Sequence, residues 1–151
     1  MTADDVIALL GLEPMPIEGG MWAQTWRDGN ASAIYFLLRP GDFSALHRLD
    51  IAELWHHYAG APAEMLLLEP GGSVRRPLLG DDLSSGQRPF TAVAAGVWMA
   101  AATTGAWSLV GTTMAPPFRP EGREMGEADM LTGLFPEAAD DIGRFVRQEL
   151  P

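Results

Sequence analysis

The sequence predicts a mainly β chain built as one barrel, with a short helix before it and helices after it. Three observations carry that reading. From Gly19 to about Pro117 the apolar runs are short and are punctuated by Gly, Pro and Asp at intervals too close for long helices. Apolar residues recur at helical spacing only near the two ends. The 151 residues, 47% of them hydrophobic, suffice for one core without disulfides, and there is no cysteine to make any. We therefore read residues 1–151 as a single domain, with a helix over about 2–11, a barrel over about 19–117 and C-terminal helices over about 127–149.

The elements follow in order. Thr2, with Asp5 three residues on, then Val6, Leu9 and Leu10 and a stop at Gly11, spells one short capped helix that packs outside something larger. Seven to nine strands follow. Their expected places are Trp22–Arg27, Ala31–Leu38, Ser44–Leu49, Ala52–Tyr58, Glu64–Leu68, Ser73–Leu79, Phe90–Val93, Trp98–Ala102 and Trp107–Met114. Arg39-Pro-Gly-Asp, Gly60-Ala-Pro, Glu69-Pro-Gly-Gly and Gly80-Asp-Asp supply the fixed or positive φ that tight turns need. The Ala- and Thr-rich stretch Thr91–Gly105 suits a crowded barrel wall. Beyond Pro116-Pro117, Met130, Leu131 and Leu134, and then Ile142, Phe145 and Val146 after Pro136, restore helical spacing.

Composition excludes several function classes. Net charge is −10, with ten arginines, no lysine and no basic cluster to follow a phosphate backbone, so nucleic acid is not an expected partner. No apolar run is long enough to cross a bilayer, and Met1-Thr-Ala-Asp-Asp lacks the basic start of a signal peptide; we expect a cytoplasmic protein without a membrane partner. Without thiols, any metal site has to be built from His and carboxylates.

All three histidines, His47, His56 and His57, fall within eleven residues, together with Asp50, Glu53, Trp55 and Tyr58. Any one of them, taken alone, reads as an ordinary strand histidine facing solvent or hydrogen-bonded in the wall. Strand parity sharpens the choice. Glu53, Trp55 and His57 point one way while Leu54, His56 and Tyr58 point the other, so only one of the paired histidines can line a cavity.

The spacing Gly41, five residues, His47, one residue, Leu49, three residues, Glu53, six residues, Gly60 resembles the first cupin motif. Leu49 stands where that motif has a second histidine. Ala94-Ala95-Gly96-Val97-Trp98-Met99 stands where the second motif reads Pro-x-Gly-x-x-His. Two of the four usual metal ligands are therefore replaced. Glu18-Gly19-Gly20, Ile34–Leu38, Pro40–Ala45, Glu53–His56, Ser108-Leu-Val-Gly, Met114-Ala-Pro and Leu134-Phe-Pro are similar to the small single-domain branch called cupin type five. The chain departs from that branch at Pro16-Ile17, where relatives commonly have His-Pro, and at His57, where they have an aromatic residue. The resemblance implies a cupin barrel, that is, a double-stranded β-helix or jelly roll.

It also frames the chemistry. A divalent metal (Zn, Fe, Mn or Ni) would need His47, Glu53 and His57 as ligands, and Met99 is a poor substitute for the missing one. Without a metal, His47 held by Glu53 can act as a base, with Tyr35 as proton donor, in an epimerase, isomerase or lyase acting on a sugar-like or carbonyl metabolite. The alternatives are a non-catalytic ligand-binding or sensing module and a metal-dependent cupin enzyme. Trp22, Gln24, Thr25, Trp55, His57, Trp98 and Met99 are the expected ligand-binding residues, and Arg39 and Arg48 the nearest cations for an acidic group. Bare sheet edges lead us to expect a homodimer.

Overall fold

The chain begins as its first residues dictate. The Thr2 hydroxyl accepts from the Asp5 N–H while the Asp5 carboxylate accepts from the Thr2 N–H, and α1 (Ala3–Leu10) ends at Gly11 in the left-handed conformation. The computed structural model describes residues 1–147. Twelve strands follow α1 among the described residues: β1 (Glu13–Pro14), β2 (Met21–Arg27), β3 (Ser32–Leu38), β4 (Ser44–Leu49), β5 (Glu53–Gly60), β6 (Ala63–Leu68), β7 (Val74–Arg75), β8 (Leu78–Leu79), β9 (Phe90–Val93), β10 (Trp98–Thr103), β11 (Ser108–Met114) and β12 (Arg123–Met125). Two helices, α2 (Ala128–Leu134) and α3 (Ala139–Phe145), close the described chain.

The strands form two antiparallel sheets. One runs β1-β2-β3-β11-β5-β9; the other runs β12-β4-β10-β6-β7, with β8 also pairing β6. Between the sheets lies an interior cluster that includes Phe36, Leu49, Trp55, Met65, Leu67, Met99 and Val110. Outside the first sheet, Val6 of α1 and Leu12 just beyond it cover Leu37 and Leu109. Outside the second, α2 and α3 bring Leu131, Ile142 and Phe145 onto Leu66, Leu68, Trp98 and Ala100. Because β6 and β10 are covered on both faces, Met65–Leu68 and Trp98–Ala102 read as unbroken apolar runs instead of alternating ones. Burial of this kind contributes about 25 cal/mol per Å² of apolar surface, which makes these runs the main source of stability.

Most expected strands match within one or two residues. The expected Ser73–Leu79 strand is two short ones, because Pro77 has no N–H for the ladder; its carbonyl instead accepts from Met65 N–H at 3.0 Å. Neither β1 nor β12 was expected, each being too short to show periodicity. Both matter, since β12 pairs with β4 in the register Met125↔His47 and Arg123↔Leu49 and carries Arg123 to the interior. The C-terminal helices occupy the expected region up to Phe145; the last residues of the expected span, 148 and 149, lie outside the described residues. No helix among the described residues is long and apolar enough to cross a membrane.

Candidate functional site

A cavity of about 410 Å³ opens into the barrel between β2, β3, β5 and β11 and the segment from Phe118 to Arg123. Phe36, Trp55, Leu49 and Met114 line it on the buried side, Trp22 and Phe118 flank it, and Gln24, Arg27 and Pro120 stand at the exposed side. The volume falls in the range of about 300–1,000 Å³ typical of small-molecule sites. Polar groups on this wall are few: Glu18, Glu53, Gln24, Ser32, Thr112, Arg27 and Arg123.

Glu18 reaches the cavity from a tightly wound loop. The Glu18 N–H donates to the Pro16 carbonyl at 2.8 Å across Ile17, which holds φ 71°, the geometry of a three-residue γ-turn of the strained hand. A β-branched residue at positive φ costs on the order of 1–3 kcal/mol and persists only where its surroundings impose it. Those surroundings are explicit. The Ala45 N–H donates to the Glu18 carbonyl at 2.8 Å, the Gly20 N–H donates to Asp42 Oδ2 at 2.8 Å, and Arg147 bridges Asp42, the Phe43 carbonyl and the Glu18 carbonyl. At Gly19 and Gly20 a side chain would collide with Phe43 O and the Phe36 ring respectively, so both positions need glycine for space as well as for φ.

His47 is 1% exposed, and both of its ring nitrogens are engaged. Nδ1 lies 2.7 Å from the Ala45 carbonyl, which can only accept, so Nδ1 carries a proton. Nε2 lies 3.1 Å from Glu18 Oε1. A bare Nε2 lone pair facing a bare carboxylate would repel it, so one proton must sit between these two atoms. The other Glu18 oxygen accepts from Arg123 Nη1 at 2.7 Å, in a pair whose side chains are only 13% and 11% exposed. Arg123, Glu18 and His47 thus form a buried, hydrogen-bonded chain.

Glu53 differs. It is 8% exposed, its Oε1 accepts from the Trp55 indole N–H at 3.1 Å, and it has no cation in contact. Burial pushes its carboxyl up from the ordinary 4.5 to about 7; His47 opposes that shift, Glu18 adds to it, and hydrogen bonds from Thr112 and Trp55 oppose it. A carboxyl held near neutrality on a cavity wall is suited to both taking and giving a proton.

The other expected site residues divide sharply. Trp22, Gln24 and Trp55 line the cavity with Glu53. His47 stands behind the wall, bonded to Glu18, and Met99 opposite it in register is fully buried in the interior cluster. Tyr35 faces outward under α1, edge-on to Tyr58, because it is one residue out of phase with Ile34 and Phe36 on β3. Trp98 likewise points away from the interior, packed under α2 and α3 with the Arg48 guanidinium 4.7 Å from its ring centre. Thr25 sits exposed where the β2–β3 register slips. His57 lies at the register slip between β5 and β11, its Nε2 3.2 Å from the Ala61 carbonyl, and does not line the cavity; His56 stacks on Tyr58 outside. Neither paired histidine faces the cavity. Arg39 and Arg48 pair with Asp4 and Glu124 at the surface.

The sequence reading missed Glu18, Arg123, Arg27 and Thr112. Glu18 carried a signal in its two following glycines. Arg123 had none, since its partner is 105 residues away.

A cupin metal does not fit these residues. Of the four usual ligand positions, Leu49 and Met99 are apolar, His47 has no free nitrogen, and Glu53 is hydrogen-bonded to an indole. Nor can His57 complete the set, because its ring is committed at the far end of β5. Among the described residues no three His, Asp or Glu side chains are grouped to hold an ion.

The comparisons agree with this architecture. The family described as Cupin_5, Cupin superfamily (DUF985), matches residues 4–126. A crystal structure of a protein from Shewanella oneidensis superposes with a TM-score of 0.92 at 32% identity, covering 99% of each chain. A hypothetical protein from Leishmania major gives 0.91 at 24% identity, over 98% of this chain and 100% of its own. Oxalate decarboxylase from Bacillus subtilis shares the fold alone, with a TM-score of 0.62 at 11% identity over 93% of this chain and 40% of the enzyme. No curated protein matches in sequence. With the barrel, the motif spacing and a family match over most of its length in agreement, this chain belongs to the cupin superfamily, in the family Cupin_5 (DUF985).

Proposed function

We propose that this chain is a metal-independent acid–base catalyst for a small carbonyl metabolite, with Glu53 as the group that moves the proton. The observation that carries the proposal is the placement of Glu53, a buried carboxyl with a value of about 7 on the wall of an apolar cavity. Ionised Glu53 takes a proton from the carbon beside the carbonyl; the C–H pair becomes a C=C bond and the carbonyl pair moves onto oxygen. Gln24, Arg27 and Arg123 are among the N–H donors lining the cavity, the kind of group that oxygen needs. Protonated Glu53 then returns the proton to the same carbon or, where that carbon bears a hydroxyl, to the former carbonyl carbon while the hydroxyl proton passes to the other oxygen.

This reverses the roles expected from sequence. His47 has no nitrogen to offer a substrate, so its part is positioning: it holds Glu18 and biases Glu53. With Tyr35 outside the barrel and the Glu18 carboxyl held by Arg123 and His47, the described residues leave no second uncommitted acid on the cavity wall. A one-base isomerisation therefore fits better than a two-base epimerisation.

Proton exchange tests this directly. A panel of small ketones and 2-oxo acids incubated in D₂O with wild-type protein should show enzyme-dependent loss of the proton next to the carbonyl by NMR, and Glu53→Gln should abolish it. Binding without exchange for every compound would favour the sensing module instead, a reading supported by the largely apolar wall. A homodimer belongs to the same proposal, supported by the half-exposed aromatics Tyr58 and Phe90 on the outer face of β5 and β9; light scattering would read it.

A further inference from the structure

We infer that the cavity recognises a small organic anion, a carboxylate carried on an apolar or aromatic body, and that Arg27 grips the carboxylate at the cavity's exposed side. This rests on the reading of the cavity as the ligand site, and it names the ligand's chemical class.

A chain with twenty acids and ten arginines repels anions, so a cation left without an acid stands out. Among the described residues eight arginines lie within ion-pair distance of a carboxylate: Arg39, Arg48, Arg75, Arg76, Arg119, Arg123, Arg144 and Arg147. The other two are Arg88 and Arg27. Arg88 donates to the Leu83 and Gln87 carbonyls on a surface turn away from the cavity. Arg27 lines the cavity, and its Nη1 donates to the Phe118 carbonyl at 2.9 Å.

That bond fixes the guanidinium without using it up. The Phe118 N–H donates to the Ser32 hydroxyl at 2.8 Å, so the carbonyl holding Arg27 is itself tied to β3. Nη2 and Nε remain to meet a carboxylate through two parallel hydrogen bonds, which a guanidinium does better than any other side chain. Arg123 sits over the Phe118 ring, 5.7 Å from its centre, but its guanidinium is already engaged by the Glu18 carboxylate. Of the two cavity arginines, only Arg27 is therefore without a carboxylate partner among the described residues. Behind it, Trp22, Ile34, Phe36 and Phe118 present flat and branched apolar surface, which selects the body of the ligand.

Binding of benzoate, benzamide and inorganic phosphate, followed by NMR titration of wild type, Arg27→Gln and Arg88→Gln, tests the inference. The expected result is weaker benzoate binding by about tenfold in Arg27→Gln and an unchanged value in Arg88→Gln, as loss of one charged hydrogen-bonded pair implies. Benzamide should bind wild type and Arg27→Gln alike, and phosphate more weakly than benzoate. If benzoate and benzamide bind equally and Arg27→Gln changes neither, the anion inference falls while the cavity remains a ligand site. If phosphate binds as tightly as benzoate, the apolar body is wrong. If neither aromatic probe binds, both the inference and the reading beneath it are overturned.

Discussion

Glu18 and Glu53 face the same cavity and are about equally buried, yet their surroundings give them opposite work. Glu18 accepts from Arg123 on one oxygen and shares a proton with His47 on the other, so its charge is matched and its position locked. Glu53 accepts from an indole N–H and a threonine with no cation paired to it among the described residues, and burial raises its carboxyl to about 7. The lesson is that burial does not decide what a carboxylate does; the neighbours that compensate it do. One glutamate is built into the frame, and the other is left able to change its charge.

Substitutions can break the contrast at either end. Glu53→Gln, which keeps the shape and removes the proton-carrying group, should cost about 10²–10⁴-fold in proton exchange. It should leave the fold intact by circular dichroism. A similar loss from Glu18→Gln, with Glu53→Gln still active, would reverse the assignment. Glu18→Leu should instead act on stability: it leaves His47 and Arg123 buried without their carboxylate, at a cost of about 3–5 kcal/mol in urea unfolding.

The pH dependence of stability sharpens the same comparison. Glu53 has a folded value raised from 4.5 to about 7, so between those values the folded state holds a proton the unfolded chain has lost. The stabilisation from this group is complete below about pH 4.5 and disappears as pH rises through about 7, a fall on the order of 3 kcal/mol at most. Glu53→Gln should flatten that part of the profile, measured as unfolding midpoints across the range.

Two smaller effects address the frame. Ile17→Gly relieves the positive φ next to Glu18 and, because Ile17 is 61% exposed, removes little buried surface; it should raise stability by about 0.5–1 kcal/mol. Tyr35→Phe, outside the barrel, should change proton exchange less than twofold, about the scatter of such measurements and far below the effect of removing a proton-transfer group. A large loss there would restore Tyr35 as the proton donor.

Period and punctuation made the fold legible in the sequence. Alternation and glycine-rich turns marked the long strands, and the motif spacing placed His47 and Glu53 near each other before any coordinates. The wrong side was assigned wherever the period broke. His57 follows Glu53 and Trp55 in phase but sits at a register slip, and Tyr35 was expected in the cavity although β3 turns its even-numbered neighbours inward. Met99 and Trp98 show the same limit: on a strand buried on both faces, apolar character cannot say which face meets the cavity.

By itself the sequence determined the barrel, its terminal helices, the absence of thiol chemistry and the loss of two cupin ligand positions, because these depend on local preference, composition and spacing along the chain. Only the tertiary structure decided which acid is tied to cationic partners and which is left without one. That choice turns on Arg123 and His47 reaching Glu18 from β12 and β4, and on Glu53 having no ion-pair partner among the described residues. A carboxyl's proton affinity is set by the charges and solvent within a few ångströms of it, and residues far apart in sequence supply both.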